Sequence, residues 1–337
     1  MFLCWWTQRF LTNCNWLIQL AGGPNPIFKI PQDINWADFR AVLSNRKKAF
    51  NAANLDNKEI APFIEQTVKS RDGYEIPIRL YQPAEPRLGG APLVLLFHGG
   101  GFCLGDLDGE ELVAQRIRNK HGCVVVNVDY RLAPEHPFPA AINDAWDVLI
   151  WAAAEAKNLG ADPTAGFLVG GTSAGGNLSA VLQVKAKNDQ LSPPLTGAFL
   201  LIPAVTSQHF PPKKYASELL SLEQNKDAPV LDRHNIDVFM GGYKPDPNSD
   251  LFNVLALDDD KLKGLTPTFF QICGADPLRD EALIYDRELR RLGVTTQVKM
   301  YPGLPHGFWS IFPTWGKSQS FVDDTIQGVA WLLEQKK

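Results

Sequence analysis

An α/β fold, with a mostly parallel central sheet covered by helices on both faces, is the architecture this sequence predicts. Three observations carry it. Short runs rich in Val, Leu, Ile and Phe recur without polar alternation, as strands buried on both faces require. Helix-length patterns separate those runs, the rhythm of strand–helix–strand crossovers. The 337 residues are 45% apolar, enough to bury a sizeable core, and 21% charged. At roughly 150 residues per domain the length would suggest about two domains, although α/β folds often build one large one.

Composition removes several classes. A net charge of −4 gives no basic footprint for nucleic acid or for an anionic membrane surface. No stretch of about 18 apolar residues is present to span a bilayer. Glycine and proline, 27 and 25 residues, are too few for a collagen-like or low-complexity chain, and no short period recurs. The cysteines at 4, 14, 103, 123 and 273 are scattered and form no C-x-x-C pair, which argues against a disulfide framework and a zinc site. Their odd count suits a reducing compartment, so a cytoplasmic location is expected.

In chain order, Met1-Phe2-Leu3-Cys4-Trp5-Trp6 opens with an apolar burst. No basic residue precedes it, and Thr7, Gln8, Arg9, Asn13 and Asn15 interrupt any signal-like core. Phe2, Trp6, Phe10, Leu17 and Ile18 suit one face of a helix, expected to lie on the protein body, with peripheral membrane contact as the alternative. Strand-like stretches follow at 64–68 and 75–81. Fully buried strands are predicted at 93–97, 124–128, 167–169, 199–202, 268–273 and 296–300. Helices are predicted at 110–121, 140–158, 177–188 and 281–292, the last closed by Gly293. The only N-x-[ST] sequon, at Asn177, falls inside one of them. The segment 204–262 is proline-broken and too long for a simple crossover, so it reads as a cap over the carboxyl edge of the sheet. The expected division is therefore a core of 62–203 and 263–337, with 1–61 and 204–262 as cap. Asp258-Asp259-Asp260 reads as a solvated turn.

Gly171-Thr172-Ser173-Ala174-Gly175 lies between a predicted strand and a predicted helix, the context of a nucleophile elbow. Glycines flank the serine because so sharp a turn has no room for β-carbons, and the turn aims the Ala174 amide at developing negative charge. His98-Gly99-Gly100-Gly101 follows the strand ending at Phe97, and successive glycines leave backbone N–H groups free to face an anion. A base and an orienting acid should follow the serine in the order acid, then histidine. Of the later histidines, His209 and His234 fall in the cap segment, where solvated or local roles are expected. His306 sits in a loop just past a strand. Asp276 follows the strand ending near Cys273. Its rival Asp280 reads as the N-cap of the next helix.

The set resembles the hormone-sensitive lipase-like branch of the α/β-hydrolases, and is similar to fungal natural-product acetyl esterases. The resemblance runs from about residue 60 to the end. It is carried by His98-Gly99-Gly100-Gly101-Phe102, the run from Asp129 through Tyr130, Arg131 and Glu135 to Ala140, Gly171 to Gly176, Asp276 to Asp280, and His306-Gly307-Phe308. It implies an α/β-hydrolase fold with Ser173 as nucleophile, His306 as base and Asp276 as acid. The amides of Gly100, Gly101 and Ala174 would form the oxyanion hole. Thr172 departs from the Asp or Glu more usual there, at a position outside the triad. Arg131 and Glu135 are expected in internal ion pairs.

These readings imply serine ester hydrolysis through an acyl-enzyme, with no metal or organic cofactor. Activity should fall as pH drops through about 6–7, where an imidazole gains its proton and stops acting as a base. Phe102, Cys103, Phe308 and Trp309, beside the two loops, are expected to line an apolar pocket for a short-chain ester of a hydrophobic small molecule. A monomer or homodimer with no nucleic-acid partner is expected. The alternatives are a lactonising, transacylating or dehydrating enzyme on the same scaffold, or a receptor. In plant gibberellin receptors this fold carries a replaced histidine, whereas His306 is present here.

Overall fold

A computed structural model of the chain describes residues 29–31, 33–54, 62–85, 87–207, 209–312 and 315–335. The aromatic segment containing Phe2, Trp6, Phe10, Leu17 and Ile18 lies outside them, and so does the expectation attached to it.

The strands are β1 (Ile64–Lys69), β2 (Glu75–Tyr81), β3 (Leu93–Phe97), β4 (Val124–Val128), β5 (Phe167–Thr172), β6 (Gly197–Leu201), β7 (Thr268–Ala275) and β8 (Thr296–Pro305). They form one eight-stranded sheet in the order β1-β2-β4-β3-β5-β6-β7-β8. The β1–β2 and β2–β4 pairs are antiparallel, and every later pair is parallel. The longer helices are α1 (Trp36–Asn54), α2 (Glu111–His121), α3 (Ala140–Glu155), α4 (Ala174–Asn188), α6 (Arg233–Tyr243), α8 (Arg279–Arg291) and α10 (Gly316–Glu334). Single-turn helices α5 (Ser221–Gln224), α7 (Asp259–Leu262) and α9 (Phe308–Ile311) lie among them.

The period-two geometry of a strand explains why the central runs are apolar at successive positions, with polar exceptions such as Asn127 and Gln271 that are buried and hydrogen-bonded. Leu93, Leu95 and Phe97 face the cluster built with α3, α4 and α8, while Val94 and Leu96 face the one built with α2 and α10. β4, β5, β6 and β7 divide their side chains in the same way. Both faces are dry, and each Leu or Phe so buried contributes about 1.5–3 kcal/mol.

Three expectations need correction. β8 is an edge strand whose burial alternates along Thr296–Met300, so it is not buried on both faces. Helix α4 begins at Ala174, not near Asn177, because Gly175 and Gly176, poor helix formers, are retained there for close packing. Asp280 is not an N-cap: Leu278 holds that position, and Asp280 lies in the first turn of α8.

The segment 204–262 packs on the loops that follow the parallel strands. Phe239 of α6 lies against Gly101, and the Asn225 side chain donates to the Asp276 carbonyl at 3.2 Å. Helix α6 also holds residues ahead of α1: Asn235 Oδ1 accepts the Ile30 amide at 2.9 Å, and His234 Nε2 meets the Ile30 carbonyl at 2.7 Å. His209 is exposed beside Asp237, and Asp258, Asp259 and Asp260 are exposed at the start of α7. Arg131 pairs with the fully buried Asp144 at 2.6 Å, and Glu135 pairs with Arg40 of α1 at 2.8 Å. No helix among the described residues is long and apolar enough to cross a membrane.

Candidate active site

Ser173 sits between β5 and α4 with φ 55° and ψ −110°, a conformation that costs a non-glycine residue about 1–3 kcal/mol. Its neighbours hold it there. The Ser173 amide donates to the Leu201 carbonyl at 2.8 Å, and its own carbonyl accepts the amides of Asn177 at 3.0 Å and Ala204 at 3.3 Å. The flanking glycines permit close approach: a β-carbon on Gly171 or Gly175 would stand 2.4 or 2.0 Å from the Phe97 carbonyl oxygen. The strain falls on the serine, and the missing β-carbons let the end of β3 press against the turn.

That contact brings the glycine loop to the hydroxyl. A β-carbon on Gly99 would lie 3.5 Å from Ser173 Cβ. In a trans peptide the C=O and the following N–H point in opposite directions, so fixing each carbonyl aims the amide behind it. The Gly99 carbonyl accepts from His98 Nδ1 at 2.9 Å, which turns the Gly100 N–H the other way. The Gly100 carbonyl accepts the amides of Cys103 at 3.1 Å and Leu104 at 2.9 Å, which does the same for the Gly101 N–H. The bonded Ser173 carbonyl orients the Ala174 N–H at the start of α4. His98 is itself immobilised, stacked on Tyr130 at 4.2 Å, while the Tyr130 hydroxyl donates to the His98 carbonyl at 2.8 Å.

Residues 133 positions apart meet at the hydroxyl: His306 Nε2 lies 3.0 Å from Ser173 Oγ, and His306 Nδ1 lies 2.7 Å from Asp276 Oδ2. The Leu278 amide donates to Asp276 Oδ1 at 2.8 Å, so both carboxylate oxygens are engaged. Nδ1 must carry the hydrogen toward the carboxylate, which leaves Nε2 free to accept from the serine. Asp276 and His306 are buried, while Ser173 keeps some exposure. Asp280 is elsewhere, accepting the amides of Leu220 at 2.8 Å and Ser221 at 2.7 Å. Geometry separates the two aspartates: one faces the histidine and the other holds the cap segment.

Below Asp276, Glu281 is wholly buried. Its Oε1 accepts the Val205 amide at 2.7 Å, while Oε2 has no partner. Burial raises its carboxyl well above the usual range, and the nearby Asp276 and Asp280 add to this against the opposing backbone amides. Burial also pushes the Cys103 thiol up to about 12 and raises that of Cys273, so neither is a competing nucleophile at neutral pH.

Three of the four expected pocket residues are structural supports, and Trp309 is half-buried. Phe102, Cys103 and Phe308 have at most 1% of their surface exposed, too little to line an opening. Phe102 stacks on Tyr243 at 3.8 Å, Trp309 stacks on Phe321 at 3.6 Å, and Phe308 packs edge-on against both Trp309 and Phe321. Aromatic character beside a motif does not reveal which way a ring points. An apolar cluster beside these residues comes mostly from the segment 204–262: Leu222, Leu231, Ile236, Phe239 and Met240 cluster with Ala204 and Leu278. Of these, only Leu278 lies within a motif in sequence, and the residues of 204–262 carry no signal of their own.

The sheet order, the strained serine turn and the preceding glycine loop define an α/β-hydrolase, and a family model described as alpha/beta hydrolase fold matches residues 94–310. The chain belongs to this family, in its hormone-sensitive lipase-like branch, and is an esterase-type enzyme. It is 39% identical over 318 residues to the versiconal hemiacetal acetate esterase of Dothistroma septosporum, covering 90% of this chain and 95% of that one. With the carboxylesterase NlhH of Mycobacterium tuberculosis it shares 39% identity over 250 residues, 73% of this chain and 75% of the relative. Among solved structures it resembles vibralactone cyclase, with a TM-score of 0.86, 31% identity and coverage of 95% and 94%. The Pyrobaculum calidifontis esterase is also similar, at a TM-score of 0.80, 30% identity and coverage of 94% and 97%.

Proposed function

We propose that the protein hydrolyses short-chain, acetyl-like esters of hydrophobic small molecules, with Ser173, His306 and Asp276 as its catalytic triad. The observation that carries this reading is the hydroxyl–imidazole–carboxylate chain, 3.0 and 2.7 Å per link, set beside amides whose own carbonyls are bonded. His306 takes the Ser173 proton as the oxygen attacks the ester carbonyl, and Asp276 stabilises the imidazolium. The N–H groups of Gly100, Gly101 and Ala174 receive the oxyanion. One such donor is worth about 3–4 kcal/mol, so the glycine loop matters nearly as much as the triad. His306 then protonates the leaving alcohol, and water repeats the cycle on the acyl-serine.

The apolar cap cluster supports a hydrophobic alcohol, and similarity to an acetate esterase supports a short acyl group. A small ester is then the only required partner, with the protein a cytoplasmic monomer or homodimer. One observation favours a second reading. The likeness to vibralactone cyclase allows a hydroxyl on the acyl chain to replace water and close a lactone. Both routes share the acyl-serine and differ in what attacks it.

The test compares native protein with Ser173→Ala on p-nitrophenyl acetate, butyrate and octanoate, with mass analysis after a serine-directed phosphonate. The native form should turn over the shorter esters and gain one phosphonyl group on Ser173. The variant should lose about 10⁴-fold or more in kcat. Turnover by the alanine variant would overturn the reading. An ω-hydroxy ester separates water from an internal hydroxyl by whether acid or lactone appears.

A further inference from the structure

Arg40 stands far from Ser173 in sequence, on a helix outside the sheet, yet a continuous chain of hydrogen bonds joins it to the oxyanion loop. Its Nε–H donates to the Cys103 carbonyl at 2.7 Å. The other end of that peptide, the Leu104 N–H, donates to the Gly100 carbonyl at 2.9 Å. The far side of the Gly100 carbonyl's peptide is the Gly101 N–H, one of the amides facing the serine. Arg40 Nη2 also donates to the Ala133 carbonyl at 2.5 Å, which anchors the guanidinium; that peptide runs to Pro134 and has no N–H, so the Cys103–Leu104 peptide is the one that passes the charge on to Gly100.

From this we infer that Arg40 is a positioning residue for ester hydrolysis, a cation terminating a peptide relay that orients and polarises the Gly101 amide. The inference rests on the assignment of Ser173 and its amides above. Aligned peptides strengthen one another when each carbonyl accepts a bond, and a charged donor at the head of the chain gives the largest such effect. Glu135 sets the guanidinium's orientation by a bidentate pair at 3.0 and 2.8 Å. Its side chain is 48% exposed, whereas that of Arg40 is 22% exposed. Water therefore screens the carboxylate end more, and the positive end points inward along the relay. The planar fork matters because three acceptors, two carbonyls and a carboxylate, are met by one side chain. Docking of α1 and the electrostatics of the oxyanion hole are thereby the same contact.

The experiment compares Arg40→Met, Arg40→Lys and Glu135→Gln with native enzyme on p-nitrophenyl butyrate. Values of kcat are normalised to the fraction of Ser173 titrated by the phosphonate, and affinity for a trifluoromethyl ketone is measured alongside. Loss of one oxyanion donor costs about 10²–10³-fold, so a weakened donor should cost about tenfold in kcat for Arg40→Met. KM should stay within about twofold, the ketone should weaken by the same factor as kcat, and added methylguanidinium should restore part of the rate. Arg40→Lys should fall between and keeps the test open if the methionine variant does not fold. Glu135→Gln keeps one acceptor for the fork and the full cation, so its loss in kcat should be smaller than that of Arg40→Met. An unchanged kcat in the titratable fraction, or equal losses for Glu135→Gln and Arg40→Met confined to KM and melting temperature, would overturn the relay. A live Ser173→Ala enzyme would instead overturn the reading beneath it.

Discussion

Asp276 and Asp280 are four residues apart and chemically identical, and only their surroundings assign them different work. Asp276 faces His306, while Asp280 carries the amides of Leu220 and Ser221. Asp276→Asn should leave the melting temperature near native and lower kcat by about 10⁴-fold, by imposing the wrong imidazole tautomer. Asp280→Ala should do the reverse, costing about 2 kcal/mol in denaturant unfolding and leaving the kcat of folded protein within a few-fold. Glu281 permits a prediction with a definite sign. Its carboxyl is raised in the folded state, so the native protein binds a proton that the unfolded chain releases above its ordinary carboxylate pKa. That contribution is full at acid pH and declines as pH rises toward the folded value. Glu281→Gln cannot ionise, so its melting temperature relative to native should rise between pH 4.5 and 8. A constant difference across that range would show the carboxyl to be ionised.

The elbow and the glycine loop work as elements because two backbones touch where side chains normally intervene. At the loop, Gly101 has φ 60°, and a β-carbon there would stand 2.4 Å from the Phe239 ring. Gly101→Ala therefore adds left-handed strain of about 1–2 kcal/mol to a clash with α6. Activity on p-nitrophenyl esters should fall by about 10²-fold, the scale of a lost oxyanion donor. The double variant Gly101→Ala/Phe239→Ala should recover part of it, since the clash is removed and only the backbone strain remains. Equal activity of the single and double variants would show that Phe239 does not hold the loop. These elements were half legible in the sequence. The motif glycines announce the turns, but the Phe239 contact joins elements 138 positions apart and no local pattern encodes it.

Across the whole molecule, exposed carboxylates pair with cations. Arg131 lowers the carboxyl pKa of Asp72, Arg40 that of Glu135, Arg287 that of Glu218, Lys226 that of Glu223 and Arg291 that of Asp259. Each contributes stability above its unfolded pKa and loses it as pH falls through the lower folded value. Each pair is solvent-screened and small, so the effect is collective. Thermal midpoints should therefore fall from pH 5 toward pH 3, and a midpoint constant over that interval would contradict it. Moderate salt should weaken this acid limb.

The runs at 93–97, 124–128 and 268–273 pointed to the buried parallel sheet by themselves, because a strand dry on both faces is dominated by apolar side chains and admits a polar one, such as Asn127 or Gln271, only where it is hydrogen-bonded. The elbow and the glycine loop were likewise legible locally, by strand-end position and by where glycine alone fits, whereas the acid-then-histidine order was an expectation drawn from the fold class. Tertiary structure alone decided the rest. It made β8 an edge, turned Phe102 and Phe308 inward, and carried Arg40 to the back of the glycine loop. Chain periodicity records which face of an element is dry, whereas these outcomes depend on which distant element covers it.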